Sequence, residues 1–240
     1  MIPKRIFYIW FGKERPHWLE MTIFSWKEAL PDFEIIEINE ECTYFDFEYE
    51  YKNCEFFRTF YDEKMWALAS DYARCKVLYD HGGIYMDTDM TIRKDFNPLL
   101  NNQFFIGSMG ERIRLLSVGI MGSVKGYSFL KDVIDFYNKE YFNTPLYVVG
   151  DIFEKIRRNG RYDGFTIYNN DFFYPYKYQE PFTPECIKPC SYTVHWWAAS
   201  WNKSITHEMM VDKKYWQSKN KKLYLIKKKI LNTFGCKPKT

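Results

Sequence analysis

Two aspartates, Asp87 and Asp89, stand two residues apart directly after the short apolar run Ile84–Met86. In an extended chain, side chains two residues apart point to the same side, so these carboxylates can hold one hard divalent cation together with a phosphate. Ligands of open α/β sheets gather outside the carboxyl ends of the strands. The pattern therefore predicts a metal and phosphate site where this strand ends.

An Asp-x-Asp pattern alone is weak evidence, and the chain contains its own control. Asp46, Glu48 and Glu50 alternate in the same way, and we interpret them as the solvated acidic face of a strand. Asp87 and Asp89 differ in context, because a helical pattern, a Gly-Gly pair and an apolar strand precede them. That context favours a functional site over a solvated face.

The helix that precedes the strand carries a second candidate group. Its pattern begins at Ala69 and ends at the Gly82-Gly83 pair, since glycine tolerates the left-handed conformation that follows a last helical residue. Asp71 and Arg74 are three residues apart and therefore share one helix face. Taken singly they would be an ordinary surface ion pair, but beside the paired aspartates they are candidates for the same site.

The remaining elements must bring these side chains together. Apolar runs predict strands over residues 5–11, 33–38, 84–86, 104–107 and 118–121, and helical spacing predicts helices over residues 16–30 and 128–139. We expect residues 39–64 to be irregular, residues 160–190 to form a loop-rich lobe that could hold an acceptor, and Asp151 to cap a helix. The glycines near the later strands, which either admit a ligand or mark turns, are Gly107, Gly110, Gly119 and Gly122.

Length and composition limit the possible functions. The 240 residues suit one α/β domain, or at most two small ones. Aromatic residues make up 20% of the chain, and their flat rings can line clefts for sugars and bases, although most will fill the core. The net charge is +3, but ten lysines and no acid follow residue 212, which leaves the rest mildly acidic. A nucleic-acid surface would spread its basic residues over the domain, so we expect no nucleic-acid partner.

The cysteines and the apolar segments bear on location. The six cysteines form no paired CxxC set, which favours a reduced, cytoplasmic chain. No stretch reaches the ~18–20 apolar residues of a membrane span, and the start lacks the features of a secretory signal. We therefore expect a cytoplasmic protein, with peripheral contact to the inner face of the plasma membrane as a further hypothesis.

The stretch SDYARCKVLYDHGGIYMDTDM (residues 70–90) resembles the core motif of the DXD-containing sugar transferases of glycosyltransferase family 32. This family includes yeast-type mannosyltransferases, bacterial capsule and lipopolysaccharide enzymes, and relatives of the clostridial toxin glucosyltransferases. Three further stretches resemble other blocks of the family in the same order: IPKRIFYIWFG (2–12), SVGIMGSVKGYSFLKDVIDFY (117–137) and YTVHWWAASW (192–201).

The resemblance implies an α/β fold of the GT-A type. A single domain over residues 1–210 would contain a Rossmann-like mixed sheet flanked by helices, followed by a basic amphipathic helical tail over residues 211–240. In this tail Leu223, Ile226 and Ile230 recur at helical spacing among lysines. Such a helix can lie on an anionic membrane surface or can be a solvated terminal helix, and the sequence leaves both open.

The resemblance also assigns roles to residues. Asp89 and Asp87 would bind the metal, and His195 would join them, because a cation held by carboxylates and a diphosphate can accept an imidazole. Trp10 and Tyr85 would line the donor pocket, although core packing explains each of them equally well or better. The catalytic residues would be Asp71, Arg74, Asp87 and Asp89, and the nucleotide-sugar contacts would be Ile9, Trp10, Asp71, Arg74, Tyr85, Asp87, Ser200 and Trp201.

The implied activity is a retaining, metal-dependent hexosyl transfer in surface-polysaccharide synthesis. The donor would be a nucleotide diphosphate sugar, with UDP-Gal, UDP-Glc or UDP-GlcNAc preferred, the cofactor Mn²⁺ or Mg²⁺, and the acceptor a saccharide or a lipid-linked oligosaccharide. Two other classes stay open. A metal-dependent phosphohydrolase or nucleotidyltransferase would need more converging acids than the sequence offers. A non-catalytic sugar-binding module would have no need of paired acids beside Asp71 and Arg74.

Overall fold

The computed structural model describes residues 1–12, 14–109, 116–145, 148–177 and 180–197. The strands are β1 (Arg5–Ile9), β2 (Glu34–Ile38), β3 (Gly83–Met86), β4 (Met90–Ile92), β5 (Phe104–Ser108), β6 (Leu116–Ser123), β7 (Phe165–Tyr168) and β8 (Thr193–His195). The α-helices are α1 (His17–Ala29), α2 (Phe47–Asn53), α3 (Glu55–Asp62), α4 (Trp66–His81), α5 (Ser128–Lys139), α6 (Val149–Asn159) and α7 (Asn170–Phe173).

Six strands form one mixed sheet in the order β2-β1-β3-β6-β5-β7. β1 runs parallel to both β2 and β3, whereas β6 lies antiparallel to β3 and β5. β4 and β8 form a separate antiparallel pair beside this sheet. β3 therefore lies in the interior of the sheet, and its carboxyl end, where Asp87 follows, opens towards the small pair.

Apolar side chains cover both faces of the sheet because successive strand residues point to opposite sides. Phe7 and Tyr85 belong to a core layer shared with α3, α4, α5 and α6. Ile6 and Ile84, their neighbours along the strands, belong to a second layer that includes Trp26 of α1. Helices on both faces of a mixed sheet confirm the predicted fold class.

The junction between α4 and β3 follows the prediction. α4 ends at His81, Gly82 follows with φ +66°, and Gly83 has φ +130°. A β-carbon on Gly82 would lie 2.7 Å from the backbone nitrogen of Lys125, so this position excludes a side chain on two grounds. The glycine pair thus turns the chain from α4 directly into the strand that carries the aspartates.

The prediction for residues 39–64 is wrong, because they form α2 and α3. The carboxylate of Asp46 accepts a hydrogen bond from the backbone N–H of Tyr49 and caps α2. Glu50 is buried, accepts a 2.5 Å hydrogen bond from the hydroxyl of Tyr72, and pairs with Lys76 at 3.3 Å. The alternating acids are therefore helical, since a cap and a buried ion pair outweigh the period-two pattern.

Two further predictions need correction. α6 begins at Val149 with Val148 as its N-cap, so Asp151 lies in the first helical turn, where a negative charge still favours the helix dipole. The lobe over residues 160–190 contains regular structure, namely β7 and α7. α7 matters for the site because it leads into Tyr174, which reaches the central strands.

Candidate functional site

Asp87 and Asp89 lie in the tight turn that joins β3 to β4. The backbone N–H of Met90 donates to the carbonyl of Asp87 at 3.2 Å, so the chain turns here and is not extended as the sequence suggested. The two carboxylates nevertheless converge. Together with His195 they offer one ligand atom each, and these three atoms all lie within 4.8 Å of one another.

His195 reaches the aspartates through strand pairing. It ends β8, and the register of the antiparallel pair sets it opposite Met90, the residue after Asp89. Its Nε2 atom lies 2.9 Å from Asp89 Oδ1, and the backbone N–H of Trp196 donates to the carbonyl of Asp89 at 2.9 Å. Residues that are far apart in the sequence are therefore held at one point.

This group fits a divalent cation. Adjacent ligands of an octahedral ion with bonds of about 2.1 Å stand about 3 Å apart, which matches the separation between His195 and Asp89. The other ring nitrogen of His195, Nδ1, is buried and has no hydrogen-bond partner within the described residues. Two carboxylates and an imidazole on neighbouring elements are a ligand set suited to such an ion.

Asp71 and Arg74 form the predicted pair on one face of α4, but both are only 5% exposed. Arg74 Nη2 lies 3.1 Å from Asp71 Oδ1, and Arg74 Nη1 lies 3.5 Å from Asp87 Oδ1. The same Nη1 donates to the backbone carbonyl of Val118 at 3.1 Å. Arg74 therefore connects α4, β6 and the turn after β3 in the interior, and the surface-pair interpretation is wrong.

Tyr85 completes this buried network. Its hydroxyl donates to Asp87 Oδ1 at 2.6 Å, and the guanidinium of Arg74 lies 4.4 Å from the centre of its ring. The ring is buried in the core layer, as the packing interpretation required, while the hydroxyl contacts a site residue. The structure therefore confirms the packing interpretation, and a role of Tyr85 in the donor pocket stays a prediction.

The carboxylates of the site are held in an unfavourable environment for negative charge. Burial raises the pKa of Asp71 to about 7, with Arg74 opposing the rise and Asp87 adding to it. Loss of solvent also raises the pKa of Asp87, while Arg74 and His195 oppose that rise. Several carboxylates share one guanidinium here, so the site favours an added cation.

Two further residues belong to the site: one that the sequence analysis noted without assigning it a role, and one that it did not predict. Gly119 accepts a 2.7 Å hydrogen bond from the backbone N–H of Asp87, and a β-carbon there would lie 3.1 Å from both Asp87 Oδ2 and the Tyr174 hydroxyl. The hydroxyl of Tyr174 accepts from the N–H of Ile120 at 3.0 Å. The glycine pattern had signalled Gly119, whereas nothing in the sequence pointed to Tyr174.

Ile9 and Trp10 stand at the carboxyl end of β1, the strand next to β3. Ile9 is buried, and Trp10 is half-buried with its ring 5.6 Å from that of Trp18. The indole N–H of Trp10 donates to the carbonyl of Glu14 at 2.8 Å. Their roles in nucleotide binding stay predictions. Ser200 and Trp201 lie outside the described residues, as does the tail over residues 211–240.

Comparison with known proteins shows which family part of this chain resembles. Residues 16–106, which include the paired aspartates, match the family described as the glycosyltransferase sugar-binding region containing a DXD motif. A relative, inositol phosphoceramide mannosyltransferase 3 of Schizosaccharomyces pombe, is 28% identical over 165 residues. Both findings support a similarity to the DXD-containing glycosyltransferases. The aligned region covers 65% of this chain and 44% of the yeast relative, so the chain spans less than half of that relative's length.

Solved structures share the fold of this chain. The PaToxG glycosyltransferase superposes with a TM-score of 0.55 at 18% identity, covering 66% of this chain and 69% of the other. The galactosyltransferase LgtC, solved with donor and acceptor sugar analogues, superposes with a TM-score of 0.51 at 13% identity, covering 87% and 94%. At these identities the likeness establishes the GT-A fold alone. Over the part of the chain that the structure describes, we find no helix both long and apolar enough to cross a bilayer.

Proposed function

We propose that this chain is a glycosyltransferase that moves a hexose from a nucleotide diphosphate sugar to a saccharide acceptor, with retention of the anomeric configuration. The observation that carries the proposal is the convergence of Asp87, Asp89 and His195 beside the buried pair of Asp71 and Arg74. The name of the yeast relative, a mannosyltransferase, supports hexose transfer.

Asp87, Asp89 and His195 would hold the cofactor, Mn²⁺ or Mg²⁺. A cation bound there would neutralise the negative charge that develops on the departing diphosphate. The imidazole favours Mn²⁺, because Mg²⁺ prefers a shell of oxygen ligands. Arg74, Tyr85 and the peptide of Gly119 orient Asp87, and such support of a ligand raises metal affinity.

The other residues would bind the donor. Asp71 would contact the hydroxyls of the donor sugar, Arg74 the sugar or a phosphate, and Asp87 the ribose as well as the metal. At the end of β1, Trp10 would stack on the base beside Ile9, since a flat ring binds the face of a pyrimidine. Ser200 and Trp201 would contact the diphosphate.

We propose a front-face reaction. The acceptor hydroxyl attacks the anomeric carbon, a new C–O bond forms on the side of the old one, and the diphosphate departs with the bonding electrons. The proton of the hydroxyl passes to the departing diphosphate. We favour this route because no carboxylate among the described residues can be assigned as a covalent nucleophile. With retention, an α-linked donor gives an α-linked product.

A metal-dependent phosphohydrolase or nucleotidyltransferase is the nearest alternative. Enzymes of that kind commonly use two metals, which need more converging acids. Within the described residues, Asp87, Asp89 and His195 form the one group of three such ligands. A non-catalytic sugar-binding module would need neither this group nor the buried arginine beside it. The single group of three ligands and the buried arginine therefore favour a glycosyltransferase over both alternatives.

We also propose a donor sugar, a biological role and a cellular location. A uridine diphosphate hexose (UDP-Gal, UDP-Glc or UDP-GlcNAc) is the preferred donor, and synthesis of a capsule or lipopolysaccharide is the proposed role. We propose a cytoplasmic protein whose basic segment, residues 211–240, contacts an anionic membrane that carries a lipid-linked acceptor.

A donor panel tests the proposal. The full chain is incubated with UDP- and GDP-hexoses and Mn²⁺, and release of the nucleoside diphosphate is measured with and without saccharides. We expect slow release that acceptors accelerate, and a loss of at least about a hundredfold in Asp89→Asn, because a metal ligand is removed. Asp46→Asn is the matched control, since Asp46 caps α2 and contacts none of the site residues named above. Undiminished turnover in Asp89→Asn, or cleavage within the diphosphate, would contradict it.

A further inference from the structure

A cluster of three aromatic rings adjoins the metal-binding group. It consists of Tyr176, Phe182 and Trp196, here called the aromatic platform. The ring centres of Phe182 and Trp196 are 5.0 Å apart, and Tyr176 packs 5.4 Å from Phe182 and 6.4 Å from Trp196. Tyr176 is buried, whereas Phe182 is 37% and Trp196 is 44% exposed. Two exposed rings on a buried third make a continuous apolar surface of the kind that marks ligand-binding sites.

The platform is fixed to the residues of the metal-binding group. Trp196 directly follows His195, and its backbone N–H donates to the carbonyl of Asp89 at 2.9 Å. Its indole N–H donates to the hydroxyl of Thr91 at 3.1 Å. Both ends of Trp196 are therefore anchored on the segment that begins with Asp89, so the ring is ordered before a ligand arrives and little entropy is lost on binding.

Trp197, the residue after Trp196, has a strained backbone conformation. Trp197 has φ +56°, a conformation that bulky residues rarely adopt and that persists mostly at functional sites. Its ring lies 4.2 Å from that of His195, and its indole N–H donates to the carbonyl of Tyr176 at 3.3 Å. Trp197 thus joins the metal-binding group to the platform, while Trp196 stays exposed.

The charges in the segment that carries Tyr176 and Phe182 are balanced. Between residues 176 and 190 the charged side chains are two lysines, Lys177 and Lys188, and two acids, Glu180 and Glu185. Lys177 and Glu180 form an ion pair at 3.3 Å. This segment therefore adds no net charge to the platform, whose apolar faces with a polar rim suit a neutral ring that carries hydroxyl groups.

We propose that the aromatic platform binds the acceptor, and that the acceptor is a neutral pyranoside whose apolar face stacks on Trp196 and Phe182. This inference rests on the proposed function, because it places a sugar hydroxyl beside the donor held by Asp87 and Asp89. Trp196 and Phe182 are assigned to acceptor binding, and the reacting atoms belong to the two sugars.

The test is a comparison of Michaelis constants in the full-length protein with Mn²⁺ and its best UDP-hexose. The probes are the methyl α- and β-pyranosides of glucose, galactose and mannose. We expect Trp196→Ala and Phe182→Ala each to raise the acceptor KM at least fivefold, with a smaller change in the donor KM. Trp196→Phe, which keeps a flat ring, should recover most of the acceptor affinity.

Phe24→Ala is the matched control, because Phe24 is 61% exposed on α1 and belongs to no part of the platform. It should leave the acceptor KM unchanged, and thermal melting verifies that all variants fold. An acceptor KM that rises less than fivefold in both alanine variants overturns the platform proposal while the proposed function stands. If the wild type transfers no hexose, the proposed function fails, and direct binding of the same pyranosides by ligand-observed NMR then decides for or against the platform.

Discussion

At the scale of single residues, Asp87 is a carboxylate that several neighbouring groups support. Tyr85 donates to it, Arg74 faces it, and the carbonyl of Gly119 accepts from its backbone N–H. Groups that orient a metal ligand commonly matter almost as much as the ligand itself, because they set its direction and its basicity. The buried hydroxyl of Tyr85 is therefore more than a core contact.

Removing that hydroxyl tests the network. We expect Tyr85→Phe to weaken Mn²⁺ binding by about 10- to 100-fold, because Asp87 loses its 2.6 Å hydrogen bond while the ring still fills the core. The measurement is the dependence of turnover on Mn²⁺ concentration. Tyr127→Phe is the control, since the hydroxyl of Tyr127 donates to the carbonyl of Asp163. Equal metal dependence in both variants would show that Tyr85 does not support the ligand.

At the scale of elements, the site depends on how α4 passes into β3. The two glycines permit a reversal without a loop, so the helix that carries Arg74 and the strand that leads to Asp87 stay side by side. The pair β4 and β8 supplies the opposite side, because its register sets His195 against the start of β4. The metal-binding group is thus assembled where three short elements meet.

Gly82 and Gly126 allow the two costs of a side chain to be separated. Both have positive φ, +66° and +74°. A β-carbon on Gly82 would lie 2.7 Å from a backbone nitrogen, whereas a β-carbon on Gly126 would have no neighbouring atom within 4 Å. We expect Gly126→Ala to lower the free energy of unfolding by about 1 kcal/mol, from the backbone conformation alone. Gly82→Ala should cost about 2–4 kcal/mol, since the clash adds to it. Urea denaturation measures both, and equal losses would contradict this account.

At the scale of the whole molecule, the aromatic content is mostly structural. Rings pack in layers on both faces of the sheet, as in the cluster of Phe11, Phe57 and Tyr61. The high aromatic fraction is therefore weak evidence for sugar binding as such. What distinguishes the aromatic platform is that two of its rings remain exposed beside the metal-binding group.

The charge asymmetry of the chain leads to a prediction about membranes. If residues 211–240 bind an anionic surface, replacing Lys227, Lys228 and Lys229 with glutamate should weaken binding to phosphatidylserine vesicles by at least about a hundredfold, at roughly 1 kcal/mol for each lysine. Replacing the same residues with arginine is the control, because it keeps the charge. Vesicle sedimentation gives the affinity, and unchanged binding of the glutamate variant would exclude electrostatic attachment through this segment.

Local features of the site were predictable. The spacing of Asp71 and Arg74 sets them on one helix face, and the glycine pair ends that helix, because both effects act within a few residues. The alternating acids of α2 show the limit of such reasoning. Their period matched a strand, yet capping by Asp46 and burial of Glu50 against Tyr72 made a helix.

The sequence by itself determined the order helix, Gly-Gly, strand and paired aspartates, and with it the resemblance to a glycosyltransferase family and the class of fold, because helix faces, turns and strand ends depend on neighbouring residues. The tertiary structure alone decided that Asp71 and Arg74 are buried, that Nε2 of His195 lies 2.9 Å from Asp89, and that Tyr174 reaches β6. These contacts join segments about 50 to 100 residues apart. They follow from sheet order and strand register, which arise from packing over the whole chain and leave no local pattern.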